Sequence, residues 1–305
     1  MQKRILLYNG FPFHYEMFGC ILDFCNKNNI IPDIFNKCIS EEWISVYSSK
    51  YTFNTIYKII IKEANSYFCI FLLTDDDMTW ADEELLTRNT VCIDHWYKCR
   101  RPSVLYHVPI TKFNENIMNY VLPVFEYVDY STKLQVLEKQ KRPIITILGS
   151  SSLPVYSDFF HQISNIEEFD IYIINRYIHD VPKAWNIYTF ADISAPKMFE
   201  LLISSTYMYY YPSGNTKSLY QLLNYEMTST LPMSFTCGCK CILPRQMNIH
   251  LKLKSVIEYE FIPGSILLDK TPSLVDTFKE REELIKIKDT TILSIFESIA
   301  SNNSS

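Results

Sequence analysis

Short apolar runs recur along the chain, and between them lie stretches whose apolar residues repeat at three- and four-residue spacing. A run with no polar alternation suits a strand buried on both faces, and the wider spacing suits a helix with one buried face. In the first half, residues 3–8 (KRILLY), 31–35, 67–73 (YFCIFLL), 91–93 and 103–108 predict strands, and the apolar run 120–125 (YVLPVF) ends this half. Residues 15–26 predict a helix, with Met17, Phe18, Ile21, Leu22 and Phe24 or Cys25 as its apolar set. Residues 82–87 predict a short helix. Residues 51–65 read two ways: Ile56, Ile59, Ile60 and Ala64 suit a helix, whereas Ile59, Ile60 and Ile61 also suit a strand.

The polar, charged stretch 130–142 (YSTKLQVLEKQKR) reads as a linker, and beyond it the pattern restarts. Residues 143–148, 169–174, 187–189, 207–211, 241–243 and 257–261 predict strands, and 156–163 and 195–204 predict helices. The second of these helices has Ser194 as its expected cap and Pro196 in its first turn. Residues 272–300 predict two helices, in which Leu284, Ile285, Ile287, Ile292, Leu293 and Phe296 offer apolar faces to tie the halves together. Strands alternating with helices imply a parallel sheet with helices on both faces. Two such patterns imply two α/β domains, and 305 residues suffice for both.

One stretch carries more specific information. Residues 225–244 (YEMTSTLPMSFTCGCKCILP) read as a loop, a short helix, a tight turn and a buried strand. Glu226 lies in the loop, Thr228, Ser229 and Thr230 can cap the helix, and Pro232 fits its first turn. Gly238 suits the helix end, and Cys241, Ile242 and Leu243 form the strand closed by Pro244. This segment resembles the donor-sugar loop of GT-B glycosyltransferases, in which a carboxylate precedes a Ser/Gly-rich helix start and a small apolar strand. Where that family often has Gly, this chain has Ser229. The resemblance extends loosely over most of the chain. It implies two Rossmann-like domains facing across a cleft: an acceptor-side domain over 1–138, and a nucleotide-sugar-binding domain over 139–305 whose last helix returns to the first. It also implies transfer of a sugar from a nucleotide-sugar donor to a hydroxyl of a glycan or glycoconjugate acceptor. Two alternatives stay open: a non-hydrolysing sugar-nucleotide epimerase, and a catalytically silent member that binds a glycan or a partner.

Ligands of open parallel sheets bind beyond the carboxyl ends of the strands, so the residues after each strand are the candidates. In the second half these are Gly149, Ser150 and Ser151, then Arg176, then Ser213 and Gly214, then Glu226 with Thr228, Ser229 and Thr230. Glycine allows close backbone approach, hydroxyls and a guanidinium suit a diphosphate, and the resemblance gives Glu226 the ribose hydroxyls. In the first half the candidates are His14, and His95 preceded by Asp94. A histidine there would serve as general base toward the acceptor hydroxyl, oriented by Asp94 if the fold brings their side chains together. No glutamate stands eight positions before Glu226, since Ser218 occupies that place, which argues against one retaining subtype of the family. Asp75, Asp76 and Asp77 match a D-x-D metal motif literally, but the second full α/β pattern does not suit the fold that uses it. No essential metal or other cofactor is therefore expected.

Composition narrows the rest. A net charge of −5 without a concentrated basic patch argues against nucleic acid, and the run 98–101 (KCRR) reads as a solvated loop. Nine cysteines, an odd number, suit free thiols and a reducing compartment. Cys237, Cys239 and Cys241 read as small apolar packing rather than metal ligands. The first apolar run is too short for a signal peptide, and no run nears the roughly 20 residues of a membrane span, so a cytoplasmic protein is expected. There is no G-x-G-x-x-G, the main mark of dinucleotide oxidoreductases.

Overall fold

The computed structural model describes residues 4–9, 14–57, 61–73, 86–94, 104–110, 121–149, 160–175, 186–210 and 229–304. The chain divides into two compact units, one of residues 1–125 with 284–305, the other of residues 126–283.

The first unit contains β1 (Ile5–Tyr8), α1 (Glu16–Lys27), β2 (Asp33–Phe35), α2 (Glu41–Ser48), β3 (Asn54–Ile56), β4 (Cys69–Leu72), β5 (Thr90–Asp94) and β6 (Tyr106–Pro109). All six strands are parallel, in the order β3-β2-β1-β4-β5-β6. The apolar runs do form strands: β1 pairs β4 with Leu7 opposite Phe71, and both strands are buried. The expected apolar set of α1 is buried throughout. Gly19 is needed on that helix because a Cβ there would lie 2.6 Å from the Phe125 ring. At the amino ends of the strands, Arg4 Nη2 meets Asp33 Oδ2 at 3.2 Å and Tyr67 Oη donates to the same oxygen at 2.9 Å.

Over residues 51–65 the described part holds the strand Asn54–Ile56 and the 3-10 turn Ile61–Ser66 rather than one helix, and residues 58–60 lie outside the described residues. The Asn54 side chain donates to Asp33 Oδ1 at 2.9 Å, which fixes β3 beside β2. The described part of 120–125 is irregular, although Val121, Leu122, Val124 and Phe125 are buried. Its apolar side chains cover the core without entering the sheet. Helix α2 was not foreseen, and the helix over 82–87 falls largely outside the described residues.

The second unit contains α3 (Tyr130–Glu138), β7 (Ile144–Leu148), β8 (Asp170–Asn175), β9 (Ile187–Ala191), α4 (Ala195–Ser204), β10 (Tyr207–Tyr209), α5 (Thr230–Thr236), β11 (Lys240–Pro244), α6 (Arg245–Leu251) and β12 (Ile257–Tyr259). Its strands are also all parallel, in the order β12-β11-β10-β7-β8-β9. Ile145, Ile147, Ile171, Ile173, Tyr207 and Ile242 form the centre of its core. Of the helix expected over 156–163, residues 160–162 are described and helical, and Ile163 makes an isolated bridge to Ile266.

The stretch read as a linker is helix α3, and its charge misleads. Asp129 caps it, accepting from the Thr132 amide at 2.8 Å and from the Ser131 and Thr132 hydroxyls at 2.6 and 2.7 Å. Those three bonds hold the Asp129 carboxyl well below the usual carboxylate range. Lys133, which reads as a surface charge, is fully buried. Its ammonium donates to the carbonyls of Ile203 at 2.7 Å and Ser205 at 2.6 Å, closing the carboxyl end of α4. It also lies 3.3 Å from Cys239 Sγ, and burial, opposed by that ammonium, pushes the Cys239 thiol up. Cys237, Cys239 and Cys241 are all buried, and no cluster of metal-ligating side chains occurs among the described residues.

The tail is one helix rather than two, α7 (Val275–Ser304). Residues up to 283 belong to the second unit and those from 284 to the first. In the second unit, Phe278 lies against Gly238, where a Cβ would sit 2.5 Å from the ring and φ is +64°. In the first, Phe296 meets Phe24, Phe68 and Phe71 with ring centroids 5.5, 5.2 and 6.1 Å away. Lys288 is fully buried and donates to Asp23 Oδ2 at 2.8 Å and to the Cys20 carbonyl at 3.1 Å. Leu284, Ile285 and Ile292 are buried with Phe296, whereas Ile287 and Leu293 face solvent. No described helix is long and apolar enough to cross a membrane.

Candidate functional site

Both sheets have the same strand order relative to their first strand, so each has one place where successive connections run to opposite sides. In the first unit it lies between β1 and β4, and in the second between β7 and β10. The carboxyl ends of those strands open the crevice in which such folds bind ligands.

In the second unit, β7 ends at Leu148 and is followed by Gly149, whose φ of +114° is one that side chains rarely adopt. Its amide donates to the Ile174 carbonyl at 3.1 Å, which holds the turn against β8. A Cβ at this position would meet nothing within 4 Å among the described residues, so glycine is here for its backbone conformation and not for want of room. Helix α5 starts beside it. Ser229 precedes that helix and makes no side-chain cap. Instead the Thr230 hydroxyl donates to the Leu148 carbonyl at 3.1 Å, pinning the helix start to the end of β7. Pro232 lies in the first turn and Gly238 closes the helix, both as expected. Asn175 ends β8 nearby in the sheet and is buried. The fold thus joins Gly149 and Thr230, which stand far apart in sequence. Ser150, Ser151, Arg176, Ser213, Gly214, Glu226 and Thr228 lie outside the described residues.

Two six-stranded parallel sheets of this order, with the last helix shared between the units, match known architectures over the whole chain. AviGT4, a glycosyltransferase involved in avilamycin A biosynthesis, superposes with a TM-score of 0.64 at 8% identity, over 98% of this chain and 98% of that one. Alr3699/HepE from Anabaena, in complex with UDP-glucose, superposes with a TM-score of 0.52 at 8% identity over the full length of both. The fold is GT-B. No protein-family model matches the sequence, and no curated protein does either. Identity this low makes the likeness one of GT-B architecture alone.

In the first GT-B unit, His14 follows β1 and stands just before α1 with a left-handed φ of +59°. Such a backbone is uncommon outside glycine and tends to occur at functional turns. Its Nδ1 lies 3.2 Å from Glu16 Oε1, and the carboxylate is nearly buried while the ring is one-fifth exposed. The turn is braced on both sides. The Met17 amide donates to the His14 carbonyl at 3.1 Å, and the Tyr47 hydroxyl donates to the Tyr15 carbonyl at 2.8 Å. Tyr47 is fully buried among Trp43, Tyr51 and Phe125, and burial followed by the Glu16 charge pushes its hydroxyl well above the ordinary range. A partly exposed imidazole held by a buried carboxylate is an arrangement that can take a proton. Glu16 was not singled out from the sequence, because an acid in a first helical turn reads as a complement to the helix dipole.

Asp94 ends β5, buried, and its Oδ1 lies 2.8 Å from His107 Nδ1. Its carboxylate is therefore engaged with the neighbouring strand; His95, which it was expected to orient, lies outside the described residues. His107 could not be found from the sequence, since only the pairing of β5 with β6 sets it near Asp94.

Proposed function

We propose that this chain is a glycosyltransferase that moves a sugar from a nucleotide-sugar donor to a hydroxyl of a glycan or glycoconjugate. The second unit takes the donor and the first presents the acceptor. The observation that carries this reading is the bond from Thr230 to the Leu148 carbonyl. It sets the start of α5 beside Gly149 at the crevice of the second sheet, so two separately chosen donor-site candidates share one corner. Neither residue is charged, and the turn can admit a diphosphate without repelling it. Arg176, Ser150, Ser151, Ser213, Gly214, Thr228 and Ser229 complete the donor set in this proposal, with Glu226 accepting the ribose hydroxyls. HepE, similar in fold, was seen with UDP-glucose, and a uridine diphosphate sugar is the first donor to try.

On the acceptor side His14 is the base, with Glu16 opposite its Nδ1 leaving Nε2 to receive the acceptor proton. His95 and Asp94 belong to the same proposal as a second candidate pair. The diphosphate charge is offset by donor-site groups, and no metal takes part. Calorimetry with UDP tests the donor half. Glu226→Ala should weaken binding by about ten- to a hundredfold, since a hydrogen bond to a charged group is worth about 1.5–3 kcal/mol. Unchanged affinity in that variant would show the donor site to be elsewhere.

A further inference from the structure

Asp94, placed above with His95, also belongs to a buried pair in the first unit that has a chemistry of its own. The two ring nitrogens of His107 each face an oxygen that can only accept. Nδ1 lies 2.8 Å from Asp94 Oδ1, and Nε2 lies 3.1 Å from the Val104 carbonyl. A neutral imidazole has one N–H and so can satisfy one of the two; the imidazolium satisfies both. The His107 and Asp94 side chains are only 9% and 5% exposed, so water replaces neither bond cheaply.

We propose that Asp94 and His107 form a proton-operated latch on the edge strand β6. Among the described residues β6 ends its sheet, with β5 as its neighbouring strand and the Val121 amide donating to its Pro109 carbonyl at 2.8 Å. It is held there by the ladder, by the Ile110 amide donating to the Asp94 carbonyl at 3.2 Å, and by Asn302 of α7, whose side chain donates to the Tyr106 hydroxyl at 2.8 Å. The latch adds a charge-assisted bond between the two strands. Among the described residues, β5 also carries Cys92, the register partner of His107, β6 itself carries Tyr106, and the part of α7 in this unit carries Lys286, Lys288, Asp289 and Glu297, with Lys288 and Asp289 paired to one another. The two helix carboxylates lie outside the sheet and do not replace Asp94 within it. The latch is closed while the ring carries both protons. It opens as the pH rises through the ring's titration, when one nitrogen loses its N–H and faces an oxygen with no proton between.

The full chain, labelled with 15N in its histidines, tests this directly. At neutral pH both His107 ring nitrogens should read as protonated. Hydrogen exchange at the Ile110 amide, corrected for the intrinsic effect of pH, should quicken about ten- to a hundredfold as the ring titrates. In His107→Gln that pH step should vanish. A ring with one bare nitrogen at neutral pH overturns the proposal, and so does an Ile110 amide whose corrected exchange ignores the ring's titration. Both decisive readings come from the unaltered protein, so a variant that fails to fold does not shelter the idea.

Discussion

The two units repeat one strand order and put opposite chemistry at the same corner of it. After its first strand, the first unit has His14 in a left-handed turn, 3.2 Å from a nearly buried carboxylate. After its first strand, the second has Gly149, tied by way of Leu148 to the Thr230 hydroxyl. Among the described residues, one corner holds an imidazole beside a carboxylate, and the other a glycine turn beside a hydroxyl. A shared topology fixes where chemistry can occur and leaves the residues to say which chemistry it is.

The division can be broken by substitution. The largest effect is expected from His14→Ala, which should lower turnover by about a hundred- to ten-thousandfold while leaving UDP affinity unchanged. Steady-state rates beside calorimetry measure both; a loss of UDP affinity instead would move His14 to the donor side. Phe296→Ala should come next, removing a buried ring from the first unit at a cost of about 3–5 kcal/mol. Denaturant unfolding should locate that loss in the first unit, with hydrogen exchange in β7 and β8 little altered. A smaller effect belongs to Thr230→Val, in which the Leu148 carbonyl loses its donor. A neutral hydrogen bond is worth about 1 kcal/mol, so UDP affinity should fall roughly fivefold. The smallest is none at all: transfer measured after exhaustive chelation should keep its rate, and its abolition together with loss in Asp75→Asn would put a metal at the acidic run instead.

Much of this architecture was legible in the chain because parallel strands buried on both faces must be apolar almost throughout. The runs at 67–73 and 143–148 could hardly be anything else. What misled was polarity that the fold turns inward. Lys133 and its charged neighbours read as a linker until the carboxyl end of α4 is seen to need a donor. The run 120–125 is as apolar as the strands, yet its described residues lie outside the ladder and touch it only through the Val121 amide, which donates to the Pro109 carbonyl at 2.8 Å. The corner after β7 was legible as separate residues after separate strands. The corner after β1 was half legible: His14 follows from its place after β1, whereas Glu16 and His107 owe their meaning to distances that no spacing encodes.

The shared helix α7 has a consequence for synthesis. Domains generally fold in the order in which they leave the ribosome, amino-terminal first. Here that order is inverted. The first sheet emerges early, yet Lys288, Ile292 and Phe296, which fill its core beside Asp23, Phe24 and Phe71, are made only after the whole of the second unit. The second unit is complete at residue 283, so it can fold while the first still waits. Until Phe296 emerges, Phe24 and Phe71 lack the ring that covers them, and a nascent chain stalled before residue 284 carries an open hydrophobic face that a chaperone can hold.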